Sequence, residues 1–550
     1  MKKINFLTIM SVSIFSMFAL NSCNNLDLHY EGGTQDLEQI IQANRVDAAL
    51  NGMYAWMSTP LSFFGVASNR ADDIGYPGLC LSEDLNSGDM VNIVTTYDWF
   101  TVALEYSDRT STYANPRMRF GLPYKILYSA KEALEVLPDT TTVEMRAKLG
   151  QIKAMRAFAY LSLAPYFQFK YKGNQEKPSV PLMVDNVEDS RNNPRASLRD
   201  LYSAIIKDLT EAIEDFDGWE RSNKGQIDQQ VAYGLRARAY MYMEEWDKAA
   251  ADADKALAGY TPYSIAEAQK PAFVNANDHN VIWAVLCPSD IVGVTRISWP
   301  SQICSFTGMG YTTLFFNRCI NNLLFDKIPT TDVRKGWWLD ENAYSPNLNG
   351  LNWVWTDPDS KVTTTFSGQD IVSANIPDVK APMDPYSNIK FGQRSGIGSE
   401  SNDNDWILMR AEEMILIKAE ATAKAGNLAG GKQILENFVK TYRNPSFTST
   451  AISIDAFSNE IFLQRRIELW GEGFTMADIM RLGKNVVRYH PGAATNVPEP
   501  YQFNIAANDP WILLRFPQSE TTNNLGIIQN EGGTQPKQGD GASLLDGVTD

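Results

Sequence analysis

Paired carboxylates are the first residues in this chain with the makings of a reaction: Asp72 with Asp73, and Asp403 with Asp405. Two acids flanking a glycosidic bond are the machinery of a sugar hydrolase, but that chemistry fixes their separation in space, and adjacency on a loop does not supply it. Solvation or hydrogen bonding is their ordinary role, so no catalytic residue is assigned. Gly426-Asn427-Leu428-Ala429-Gly430-Gly431-Lys432 has the spacing of a phosphate loop. It is followed by Gln433, which has no hydroxyl for magnesium, and a helical segment precedes it where such a loop requires a strand. It reads instead as the turn between two helices, with glycine permitting a left-handed cap. Gly308-Met309-Gly310 lacks the third glycine of a dinucleotide loop. His29, His279 and His490 are scattered without zinc spacing. Asn402 to Asp405 offers oxygen ligands to calcium but lacks the EF-hand glycine and distal glutamate. No metal or cofactor is assigned, and calcium stays open.

A second group of residues points to binding. Tyr76, Tyr97, Trp99, Trp283, Trp299, Tyr311, Trp337, Trp338, Trp353 and Trp355 fall in two stretches, Pro60–Pro116 and Pro262–Asn404, that are rich in Gly, Pro, Asn and Asp. A sugar ring presents an apolar C–H face that a flat aromatic side chain matches, and hydroxyls that Asp, Asn and Arg match. Each aromatic contact adds about 0.5–1.5 kcal/mol beyond area burial, and each net hydrogen bond about 1 kcal/mol. A few of each give modest affinity, which suits a protein that hands its cargo on. Set against this, any single loop tryptophan is more often a local core anchor.

The elements that must hold these loops are helical. Apolar residues at one-face spacing predict helices over Asp36–Ser58, Pro123–Leu137 (stopped by Pro138) and Val143–Phe169. Between Ile227 and Tyr260, Ala232, Leu235, Ala239 and Tyr242 line one helix, Trp246-Asp247 makes a turn, and Ala249, Ala250, Ala253 and Leu257 line the next. Small residues at facing positions let two helices approach to about 8–10 Å. The pair has close to the roughly 34-residue length of a tetratricopeptide repeat, which cannot bury its face alone. Candidate neighbours are Trp406–Ala425 with Leu428–Tyr442, and Asn459–Trp470 with Met476–Leu482. Only a short helix near Leu314–Phe325 is expected inside the second loop stretch. The fold expected is thus all-α: a tetratricopeptide-like scaffold over 36–59, 121–260 and 406–483, with loop-rich insertions at 60–116 and 262–404 and a closing segment at 484–550. Arg410, Glu412, Glu413, Glu420, Arg465, Arg466 and Glu468 sit within apolar helical segments and read as ion pairs locking the helices together.

The beginning of the chain carries its own message. Lys2 and Lys3, an apolar run from Ile4 to Leu20, and Leu20-Asn21-Ser22-Cys23 read as a bacterial lipoprotein leader over residues 1–22, with the Cys23 thiol as the site of acylation. Four Ser/Thr residues and Asn5 make the run a poor bilayer span. Stable anchoring takes more than one acyl chain, which a multiply acylated Cys23 supplies. At 550 residues and 44% hydrophobic, the chain can build a sizeable core. The formal charge is -16, and removing the two leader lysines leaves about -18. A polyanion of that size excludes nucleic acid as partner and disfavours phosphate-rich ligands. Cys80, Cys287, Cys304 and Cys319 allow three disulfide pairings or remain free thiols, and no bridge is assigned.

Several blocks resemble the SusD/RagB family of surface lipoproteins. Ala48-Ala49-Leu50-Asn51-Gly52-Met53-Tyr54 and Ala147-Lys148-Leu149 through Ala159-Tyr160, followed by Val180-Pro181-Leu182-Met183, look like its early blocks. Arg410-Ala411-Glu412-Glu413 leading to Lys418-Ala419-Glu420-Ala421, and Gln464-Arg465-Arg466-Ile467-Glu468-Leu469 with Gly471-Glu472-Gly473 and Asp478-Ile479-Met480-Arg481, are similar to later ones. Phe516-Pro517-Gln518-Ser519-Glu520, Asn523 to Leu525 and Gln529-Asn530 look like its closing segment. The resemblance implies one SusD-like unit over 23–550, held at the outer membrane by its lipid. It further implies an oligosaccharide ligand and a SusC-like TonB-dependent transporter as partner. It also implies a glycan site built from an early loop, here Arg70–Thr101, and a later one, here Val281–Trp338. Within those loops Asp73, Trp99, Trp299, Tyr311, Trp337 and Trp338 are the expected contacts, although no family motif fixes them singly. A peptide-binding role within the same family and a ligand-free assembly scaffold are the alternatives.

Overall fold

The computed structural model describes residues 34–94, 99–136, 142–184, 186–287, 296–314, 316–374 and 382–550. The leader, Cys23, Tyr97 and Pro138 lie outside them. The chain is mostly helical. Helix α1 spans Thr34–Trp56, α2 Tyr76–Ser87, α3 Thr101–Glu105, α4 Ala114–Val136, α5 Val143–Phe167, α6 Leu198–Asp215, α7 Gln229–Met243 and α8 Trp246–Leu257. After a long insertion come α9 Trp299–Ile303, α10 Ala411–Lys424, α11 Leu428–Tyr442, α12 Ile454–Glu468 and α13 Thr475–Leu482. Side-chain caps start several of them. Thr142, Ser197, Asp228 and Ser453 each accept a hydrogen bond from the backbone N–H three residues on, satisfying a donor that the helix itself leaves open.

The helices pack in successive pairs. On α7 and α8 the alanines 232, 239, 249 and 253 are fully buried, as their small size at the contact requires. Arg236 closes that pair from outside with a bidentate bond to Asp252 (2.6 and 3.0 Å), and Arg156 does the same between α5 and α6 through Asp208 (2.8 and 2.6 Å). Gly426, with φ of 105°, forms the turn between α10 and α11. That is the structural role of the segment with phosphate-loop spacing.

Four expectations are corrected. Residues Trp406–Arg410 do not begin a helix. They form a fully buried strand antiparallel to Val281–Val285, with Val285 opposite Trp406 and Val281 opposite Arg410. Two unbroken apolar runs buried on both faces favour the strand pairing over helical continuation. The stretch 60–116 is not all loop, since it holds α2 and α3. The α2 sequence YPGLCLSEDLNS has weak helical character, yet every residue from Pro77 to Ser87 is buried, so tertiary packing decides. Helix α4 starts at Ala114, with Pro123 inside it. The buried side chains from Asn115 to Leu127 outweigh the cost of an internal proline, about 3 kcal/mol. Near Leu314–Phe325 only Asn322–Phe325 is α-helical.

Two more antiparallel strand pairs are found among the described residues. Met90–Asn92 pairs with Arg318–Ile320, joining the early insertion to the late one. Asn352–Thr356 pairs with Thr363–Ser367 as a projecting hairpin.

The embedded charges form a buried hub. Glu468 Oε1 accepts from Arg410 Nη1 and Arg443 Nη2 (both 2.8 Å), and Oε2 from Arg443 Nε (2.9 Å) and Arg334 Nη1 (3.2 Å). Glu472 accepts from Lys390 Nζ (2.6 Å) and from Arg410 Nε and Nη2 (2.9 and 2.8 Å). Glu412 reaches Arg443 and Arg410 (3.1 and 3.2 Å), and Asp332 holds Arg334. Gly471 and Gly473, with φ of 80° and 83°, bend the chain on either side of Glu472; a Cβ on Gly473 would fall 2.4 Å from that of Cys80. Burial pushes the Glu468 carboxyl up, but Arg443, Arg410 and Arg334 outweigh it and hold it well below the usual carboxylate range. Arg238–Glu413, Arg481–Glu420, Arg465–Asp478 and Arg466–Asp89 account for the remaining embedded charges. Glu468→Gln leaves three arginine cations short of a buried partner. It is expected to lower stability by about 3–5 kcal/mol, read as a fall in the urea midpoint with unchanged slope.

Candidate functional site

The early and late insertions meet, and a chain of hydrogen bonds fixes how. Arg70 makes a bidentate pair with Asp72 (Nε–Oδ1 3.0 Å, Nη2–Oδ2 2.6 Å) and lies with its guanidinium 4.0 Å over the Trp99 ring. Next to Trp99, Phe100 is buried beneath Arg318. Arg318 donates to the backbone and side-chain oxygens of Gln302 on α9 (3.1 Å each), and Gln302 Nε2 reaches back to Ala71 O at 3.4 Å. One residue earlier, Ser301 accepts the Tyr311 N–H through its backbone O (2.9 Å) and Oγ (3.0 Å). Trp99 and Tyr311, both half-buried, are thereby carried on one bonded frame.

The same frame extends to the hairpin. Gly308 N donates to Ser399 O and Gly398 N to Phe306 O (2.8 Å each), and Asn402 Nδ2 holds Met309 O at 2.8 Å. The Trp353 indole covers Gly398 so closely that a Cβ there would lie 2.2 Å from its Nε1. Trp353 and Trp355 alternate onto one face of the hairpin, with ring centroids 6.5 Å apart and Phe366 5.7 Å from Trp353. Trp99, Met309, Tyr311, Trp353 and Trp355 are all half-buried.

Four expected contacts are not part of this face. Trp299 is 3% exposed, gives its indole N–H to Asn404 O (2.8 Å) and packs edge-on against Trp406. Trp337 and Trp338 are each 1% exposed. The Trp337 N–H is bonded to Ala268 O (2.7 Å), and Trp338 packs edge-on against Trp470. These three rings anchor the insertion to the core, where apolar burial favours them. Asp73 is buried, and its Oδ2 accepts from Phe63 N (3.1 Å) and Phe64 N (2.8 Å), so it shapes the early loop from within. Burial raises its carboxyl above the ordinary value. Asp72 is pushed up to about 6 by burial, against the pull of Arg70.

Other polar candidates are committed to structure. Asp405 accepts from Ala276 N, Cys287 N and Arg394 Nη1 (3.0, 3.0 and 2.7 Å), and Asp403 from Ser395 Oγ (2.9 and 3.0 Å). Among the described residues no group of three or more His, Cys, Asp or Glu is placed to hold a metal ion. Cys80, Cys287, Cys304 and Cys319 are buried free thiols.

The expected pair of loops does converge, but Arg70, Met309, Trp353 and Trp355 were not among the expected contacts. For the two tryptophans a signal existed in the alternation of Trp353 and Trp355 and in the threonine run Thr363–Thr365 across an Asp357-Pro358 turn, which reads as a strand pair. The Arg70 contact is tertiary, and no spacing announces it.

Two family models match the chain: one described as "SusD family" over residues 338–532, and a SusD-like one described as "Starch-binding associating with outer membrane" over residues 78–241. A SusD-like protein of Formosa agariphila is 21% identical over 88% of this chain and 93% of its own. Among solved structures, a SusD-like carbohydrate-binding protein from Bacteroides vulgatus is 24% identical, covers 88% of this chain and 97% of its own, and superposes with a TM-score of 0.69. A laminarin-binding SusD-like protein is 18% identical, covers 89% and 99%, and gives 0.60. The blocks around Arg410 and Glu468 recognised in the sequence, the two matching models and the shared fold agree, and the chain belongs to the SusD family.

Proposed function

We propose that this protein captures a neutral oligosaccharide at the cell surface and passes it to a TonB-dependent outer-membrane transporter, without acting on it chemically. The acylated Cys23 tethers it to the outer membrane. The observation that carries this reading is that four half-buried rings, Trp99, Tyr311, Trp353 and Trp355, are carried on a hydrogen-bonded frame that joins both insertions. A half-buried ring on a fixed frame can meet the C–H face of a sugar with little ordering cost. Arg70 lies over the Trp99 ring and is held there by its bidentate pair with Asp72. The mature chain's negative charge suits an uncharged glycan better than an anionic one. The laminarin-binding relative and the starch-binding family description make neutral glucans the first ligands to test.

Isothermal titration of the purified chain against laminarin, starch and peptide panels tests the reading. Trp99→Ala and Trp353→Ala are each expected to weaken glycan binding about tenfold, since a stacked ring contributes about 0.5–1.5 kcal/mol beyond its buried area. Binding to peptides alone would move the protein to the peptide-handling role.

Binding is also expected to depend on pH through Asp72. With a folded value of about 6, its carboxylate is ionised at pH 7.5 and takes up a proton as pH falls through 6. Arg70 then loses its bidentate partner and its fixed place over Trp99. Titration at pH 5 is expected to show about two- to fivefold weaker glycan binding than at pH 7.5, and Asp72→Asn to show the weaker value at both.

A further inference from the structure

One cavity shares no lining residue with the ring face. It has a volume of about 420 Å³, within the roughly 300–1,000 Å³ range of small-molecule sites. Phe325, Trp338 and Gly336 line it, and Tyr344, 44% exposed, stands at its mouth. Trp353 of the hairpin packs against a separate small apolar cluster that includes Phe306, Leu339, Leu348 and Ile389.

The chemistry of the lining is decided by which polar groups are already used. Asp332 is bound at both oxygens by Arg334 (3.0 and 2.7 Å). Lys335 Nζ caps the carbonyls of Phe325 (3.1 Å) and Ile328 (2.9 Å). Arg443 is saturated by Glu412, Glu468 and two backbone carbonyls. Asp340 Oδ1 accepts from Asn342 N (2.8 Å) and Tyr344 N (3.0 Å), leaving Oδ2 as an acceptor. Every cation lining the cavity is thus occupied. The side-chain donors left are uncharged: the Thr330 and Thr331 hydroxyls, the Gln269 and Asn347 amides, and the Trp338 indole N–H. Asn347 is only 7% exposed and lies against Gly336 (a Cβ there would meet its Oδ1 at 2.5 Å), and in the same lining the Trp338 indole Nε1 is buried without a hydrogen-bond partner among the described residues. A buried donor without a partner costs about 1–3 kcal/mol, so the fold retains the Trp338 N–H at a loss unless something else satisfies it.

We infer that this cavity is a second binding site for a short neutral saccharide, with Asn347 bonding its hydroxyls and the exposed Tyr344 ring providing the apolar contact. An anion would find no free cation here and a cation only one free carboxylate oxygen, whereas a polyhydroxylated neutral ring matches amides, hydroxyls and Asp340 Oδ2 together. The inference rests on the reading of the protein as a glycan binder and adds a site to it.

The test uses laminaritriose and maltotriose as probes, titrated into the wild type, a ring-face variant (Trp99→Ala with Trp353→Ala) and the same variant carrying Asn347→Leu. The ring-face variant is expected to keep trisaccharide binding, and Asn347→Leu to weaken that remaining binding about fivefold or more. Tyr344→Ala, at the exposed rim, is expected to weaken it similarly and serves if the Asn347 variant melts early. Loss of all trisaccharide binding in the ring-face variant, or remaining binding indifferent to both Asn347→Leu and Tyr344→Ala, overturns the second site while leaving the glycan reading intact. A wild type that binds neither probe nor either polymer overturns the reading and this site with it.

Discussion

Eight charged side chains meet out of reach of water where the helical pairs join the long insertion: Arg334, Lys390, Arg410 and Arg443 against Asp332, Glu412, Glu468 and Glu472. Their net contribution to stability is small, because desolvation offsets most of the attraction. Their effect is on which arrangement forms. Any packing that separates one member strands a charge in the core, so the elements bearing these residues have one acceptable arrangement. Two of those elements belong to the insertion: the turn carrying Asp332 and Arg334, and the segment carrying Lys390. From there the order spreads outward through Trp337 and Trp338, whose edge-on stack on Trp470 continues the hub into the apolar core.

Rigidity of the insertion is what makes a binding face from loops. The rings of Trp99 and Trp353 stand on hydrogen bonds through Gln302, Ser301, Asn402 and the close approach of Gly308 to Gly398, and those in turn stand on the hub and on the strand pair between Met90–Asn92 and Arg318–Ile320. A flexible version of the same sequence would lose affinity to the cost of ordering each ring on contact with its ligand. A preformed face permits weak binding that is still selective in shape.

Much of the frame was legible in the sequence because helical periodicity is local. Leu428–Tyr442 lies where its apolar spacing and the Gly426 turn place it, and the alanines of α7 and α8 announce their contact. Failure came where a distant partner decided the outcome. Trp406–Arg410 is a strand only because Val281–Val285 lies beside it, and α2 is a helix only because it is buried throughout. The site follows the same logic. That two loops should converge was available from the family resemblance, but a tryptophan in a loop looks the same whether it faces in or out. Trp299, Trp337 and Trp338 turn inward because a backbone carbonyl or another ring is waiting for each, whereas Trp99 is half-buried under Arg70.

The central claim is that the buried hub holds the insertion in place on the helical frame. Lys390 tests it most directly, since its ammonium joins the insertion to Glu468 O, Trp470 O and Glu472 Oε1 (3.0, 2.7 and 2.6 Å) and to nothing on the outer surface. Amide hydrogen exchange of Lys390→Met, compared with wild type, is predicted to quicken together around residues 332–340, 386–394 and 468–473, while helix Val143–Phe167 keeps its protection. Faster exchange confined to the neighbours of residue 390, or spread evenly over the whole chain, would contradict the account.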